Sequence, residues 1–75
     1  MTRYRLVTEQ AGRRHISSVV LNEAEAVVSL NLDAELHEQA GWTVDRDDDG
    51  VVVARRGTAT RLIWILETSP MDDVL

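Results

Sequence analysis

The residues of this chain with the means to do chemistry fall into three groups: a run of aspartates, two histidines and eight arginines. The run Asp45-Arg46-Asp47-Asp48-Asp49-Gly50 opens like a calcium loop, with carboxylates at alternate positions and a glycine for the sharp bend. A helix–loop–helix site also takes a bidentate glutamate at the twelfth position, and here that position is the cation Arg56. The flanks read as strands, so the run is expected as a solvated hairpin turn with at most a weak attraction for divalent ions. His15 follows Arg13-Arg14 on an expected strand. His37 lies between Leu36 and Glu38 on an expected helix, with Asp33 four residues earlier, a spacing that gives ordinary helix-surface electrostatics. There is no cysteine to act as a nucleophile. Ser17, Ser18, Ser29 and Ser69 lack the glycine setting of a nucleophile elbow. The glycines stand alone at 12, 41, 50 and 57, so no loop is built to cradle a phosphate. The expectation is a protein that is not an enzyme and uses neither a cofactor nor a metal.

The arginines deserve separate treatment. Arg3, Arg5, Arg13 and Arg14 belong to one expected hairpin, and Arg55, Arg56 and Arg61 to the last two strands. With Tyr4, Trp42 and Trp64 available for base stacking, they compose an alternative reading as a nucleic-acid-binding regulator. Two arguments oppose it. Arginine stems cover apolar sheet surface and pair with nearby acids. The net charge of −5 also repels phosphate backbones.

The elements that must position these groups follow from pattern. Arg3 to Glu9 alternates as a strand, and Arg14 to Val20 is rich in β-branched residues; the turn at Gln10-Ala11-Gly12-Arg13 joins them into a hairpin. Asn22 suits a helix N-cap, with Glu25 placed to close a capping box. Glu23 to Ala40 has no Gly or Pro, and Gly41 is the natural stop. Along that helix Ala24, Val28, Leu32, Leu36 and Ala40 recur every four residues, and Val27, Leu30 and Ala34 widen the stripe. Trp42 to Arg46, Val51 to Arg56 and Thr60 to Glu67 read as three further strands, the first two joined at Asp49-Gly50. The expected fold is α+β, ββαβββ: an antiparallel sheet of about five strands with one helix packed on one face. Residues 1–67 would form the domain and 68–75 a loose tail.

Length sharpens the picture. A chain of 75 residues forms one domain with a thin core, and without cysteine it has no disulfide to reinforce it. No apolar run reaches the roughly 20 residues needed to span a membrane, and the N-terminus does not read as a signal peptide, so a cytoplasmic location is expected. The last two strands are apolar on both faces: Leu62, Trp64 and Leu66 alternate with Ile63 and Ile65, and Val51 and Val53 with Val52 and Ala54. One helix covers one face only, which leaves the other to be hidden by the sheet curling on itself or covered by a second copy of the chain or a protein partner, the last two being the favoured expectation. The expected interaction surface is the sheet face opposite the helix, with Val7, Val52, Ile63 and Ile65 at its centre and Arg3, Arg5 and Arg56 at its rim.

The stretches Ala40-Gly41-Trp42-Thr43-Val44, Asp49-Gly50-Val51-Val52, Arg55-Arg56-Gly57 and Thr60-Arg61-Leu62-Ile63 resemble small uncharacterised accessory proteins of actinobacterial phages. The similarity covers about the last half of the chain, and the lysine-free, Val-, Ala- and Asp-rich composition agrees with a high-GC genome. The resemblance implies an accessory factor that binds a host or phage protein in the host cytoplasm.

Overall fold

The computed structural model describes residues 2–68. Its elements run β1 (Arg3–Gln10), β2 (Arg13–Ile16), α1 (Glu23–Gln39), β3 (Thr43–Arg46), β4 (Val52–Arg56) and β5 (Ala59–Thr68). All neighbouring strands are antiparallel, in the order β2-β1-β5-β4-β3. This is the expected α+β arrangement. The chain leaves the sheet at one edge, β2, and re-enters at the other, β3. Four strand spacings are about 19 Å, and the 17 residues of α1 rise about 25 Å. The helix is therefore long enough to carry the chain across the sheet in one pass.

Local chemistry sets the element ends. Ala11 and Gly12, at φ 53° and 76°, make the two-residue turn that matches the twist of a hairpin. At the start of α1 the Asn22 side chain accepts from the Glu25 amide at 2.8 Å, and the Glu25 carboxylate accepts from the Asn22 amide at 3.1 Å. At its end Gly41 has φ 92°, the Trp42 amide donates to the His37 carbonyl, and the Gly41 amide donates to the Glu38 carbonyl. That pair of bonds is a Schellman closure, which occupies carbonyls the helix leaves open.

Most element ends shift by one residue from expectation, and two differences carry a structural consequence. β2 stops at Ile16 instead of running to Val20. The Ser17 hydroxyl accepts from the Val19 amide at 3.1 Å, a serine turn that diverts the chain before Leu21 bridges to Tyr4. Thr68 is the buried last residue of β5 and donates from its hydroxyl to the Arg3 carbonyl at 3.2 Å, so it is not the start of a tail. The remainder of the expected tail, 69–75, lies outside the described residues.

The core is the layer between α1 and the sheet. Leu30 and Ala34 of α1 pack on Val52 and Ile63, with Leu6, Val44 and Ile65 closing the edges. Ala26 is also buried. Alanines on both sides of Leu30 let the helix approach a sheet whose own side chains are large and branched.

Candidate interaction surfaces

Register decides which face each sheet residue occupies. Directly opposed residues share a face, and successive residues alternate. Leu6 opposes Ile65, Thr8 opposes Ile63, and Ile63 opposes Val52. These residues lie on the side that meets α1. Val7 opposes both Ile16 and Trp64, so it lies on the open side. The expected surface therefore divides. Val7, Arg3 and Arg5 do lie on the face opposite the helix. Val52, Ile63 and Ile65 belong to the core beneath α1, which corrects their placement at the centre of the open face. Arg56 is in phase with Val52 and Ala54, hence on the helix side too, where it is exposed. The physical reason is parity: residues one step apart on a strand cannot share a face.

The open face is apolar at its centre. Val7, Ile16, Val53, Leu62, Trp64 and Leu66 share it. Among the described residues no further element packs over it, yet Val7 is only 1% exposed. Arginines account for part of that. The Arg14 guanidinium lies 5.3 Å from the Trp64 ring centroid and 3.5 Å from the Glu9 carboxylate. Arg5 donates to the Ser17 carbonyl at 3.0 Å, and Arg55 reaches the Asp45 carboxylate at 3.3 Å. Ile16 and Leu66 remain exposed. The result is an apolar centre under a partial arginine canopy.

The helix side of the sheet, at the end where Gln10 opposes Arg61, carries a polar constellation that local sequence patterns do not reveal. Arg61 donates from Nε and Nη2 to the Gln10 amide oxygen, at 2.9 and 2.7 Å, and its guanidinium lies 4.8 Å from the Trp42 ring centroid. Its Nη1 is 2.9 Å from His37 Nε2, while His37 Nδ1 is 2.7 Å from the Asp33 carbonyl. A guanidinium only donates and a carbonyl only accepts, so the imidazole must carry its proton on Nδ1 and present a bare Nε2 to Arg61. The partners lie on β1, α1, β5 and the helix exit, far apart in sequence, and no local pattern marks them. Beside them is an open depression of about 600 Å³ whose lining includes Arg13, His15 and Arg61.

The aspartate run forms the β3–β4 turn. The Asp47 carboxylate accepts from the Asp49 and Val51 amides, both at 2.9 Å, so it closes the turn instead of projecting freely. Among the described residues no three His, Asp or Glu side chains gather into a metal-binding cluster. The arginines divide evenly between the two sheet faces: Arg3, Arg5, Arg14 and Arg55 on the open side, Arg13, Arg46, Arg56 and Arg61 on the helix side. They do not form one continuous basic stripe.

The outer side of α1 is the second apolar surface. Val28, Leu32 and Leu36 are 57%, 53% and 58% exposed. Each follows a buried residue, Ala26, Leu30 or Ala34, by two positions, and two positions are about 200° around a helix. The most apolar stripe in the sequence thus points directly away from the sheet.

No protein-family model matches the chain, and neither a curated protein nor a solved structure matches it significantly. No helix among the described residues is long and apolar enough to cross a membrane.

Proposed function

We propose that this protein is a non-enzymatic interaction module that binds a protein partner on the open face of its sheet. The observation that carries the reading is the make-up of that face: Ile16, Leu62, Trp64 and Leu66 around Val7, bordered by Arg3, Arg5, Arg14 and Arg55. An apolar centre with an arginine and aromatic component and a polar border is the usual anatomy of a protein-binding surface. The resemblance to phage accessory proteins supports a partner from the host or the phage, met in the host cytoplasm.

Affinity capture from an actinobacterial lysate tests the reading. The wild-type chain should retain a defined protein, and Leu66→Glu should lose it while keeping the circular dichroism spectrum of the wild type. Gel shifts with duplex and single-stranded DNA, across a salt series, complete the test. Nucleic-acid binding that falls steeply with salt, in place of protein capture, would overturn the proposal.

A further inference from the structure

The outer stripe of α1 has a symmetry of its own. Read from Ala24 to Ala40 at four-residue steps it is Ala-Val-Leu-Leu-Ala, close to a palindrome about Leu32. An interface between two identical copies related by a two-fold axis needs a self-complementary surface of this kind. The stripe also contains a ready socket. Leu32, Glu35, Leu36 and Gln39 line a dent of about 240 Å³, and residues at those spacings are the four that receive one side chain from a facing helix in knobs-into-holes packing. A second dent, of about 360 Å³, is lined by Leu21, Ala24, Glu25, Val28 and Ser29.

Charge selects the direction of pairing. The helix bears Glu23, Glu25, Asp33, Glu35 and Glu38 and no Lys or Arg. Parallel, in-register helices would set Glu25 against Glu25 and Glu35 against Glu35, and like charges face to face are costly. Antiparallel helices crossing at Leu32 bring Glu25 level with Gln39 of the other copy and Glu35 level with Ser29, both neutral. They also bring Val28 level with Leu36, which sets each beside a dent, and they oppose the two helix dipoles favourably.

We propose that the outer stripe of α1 is the seam of a two-fold homodimer, in which the helices of two copies of this chain pack antiparallel about Leu32. The dimer is a four-layer stack, sheet–helix–helix–sheet. It gives the thin single-chain core a second layer to pack on, and it leaves both open sheet faces outward.

Because the chain has no cysteine, single cysteines introduced into the full chain report the register under mild oxidation. Leu32→Cys should form a disulfide-linked dimer. Val28→Cys and Leu36→Cys should each stay monomeric on denaturing gels, and an equimolar mixture of the two should give the mixed dimer. Sedimentation equilibrium of the wild type should show a dimer, and Leu32→Glu should lose it. Efficient self-linkage of Val28→Cys would mean parallel helices and overturn the proposal. A wild-type chain that sediments as a monomer, with none of these pairs linked, would also overturn it and would assign the stripe to a different protein. Should Leu32→Glu fail to fold, the cysteine pattern decides. Capture of a partner on the sheet face is lost with Leu66→Glu and not with the helix variants, so the two proposals fail separately.

Discussion

Single residues here act mainly by completing backbone or charged hydrogen bonds. Arg61 is the clearest case, since it ties β5 to Gln10 on β1 and to His37 on α1 while lying over Trp42. Replacing it by methionine keeps much of the stem and removes every one of those bonds; urea unfolding should show a loss of about 1–2 kcal/mol. Long-range proton–nitrogen NMR should find neutral His37 with its proton on Nδ1, and in the Arg61→Met variant that preference should weaken. Asn22→Ala opens the capping box, an expected cost of about 1 kcal/mol, visible as a fall of roughly 4–8 °C in melting temperature. Tyr4, the one tyrosine, has its phenol pushed above the usual range first by desolvation and then by the Glu23 and Glu67 carboxylates. Its neutral form therefore persists to higher pH than in an unfolded chain. Absorbance titration should place its midpoint above that of free tyrosine, and Glu67→Gln should bring it down.

The elements are amphipathic in an unusual way, because α1 and the inner strands are apolar on two sides. Only the side toward the shared layer is core. Ile63 is 1% exposed between Val52 and the helix, so Ile63→Ala should cost about 2–5 kcal/mol, and a charged residue there should unfold the chain. Leu66, three residues on but on the other face, should tolerate alanine within about 0.5 kcal/mol. Chemical denaturation of the two variants side by side checks the assignment of faces. The strands, the capping box, the helix stop and the turn at Asp49-Gly50 were legible in the sequence because each rests on neighbours in the chain. The side of α1 that packs was not. Periodicity put Val28, Leu32 and Leu36 at the centre of the stripe and Leu30 and Ala34 at its border, whereas Ala26 and the border residues Leu30 and Ala34 are the ones buried, the latter two against Val52 and Ile63.

At the scale of the molecule, one helix and one sheet share a single core layer and leave two apolar surfaces outward. The sheet surface is partly roofed by arginines, and on the helix surface Val28, Leu32 and Leu36 are exposed. Self-association through the helix would leave two identical binding faces on opposite ends of the stack, so a partner with repeated sites would gain from divalency. That follows from the position of the surfaces and not from the nature of the partner.

The sequence alone determined the α+β class, the order of the elements, the helix caps and the surplus of apolar surface, since these depend on local spacing and composition. Tertiary structure alone decided the strand order, the side of the sheet on which Val52, Ile63 and Ile65 lie, the Arg61–His37–Gln10 assembly and the exposure of the Leu32 stripe. Each of those depends on pairing between residues distant in the chain. A shift of one residue in register moves every side chain of a strand to the opposite face, and the crossing of α1 over the sheet fixes which of its two apolar sides meets the strands.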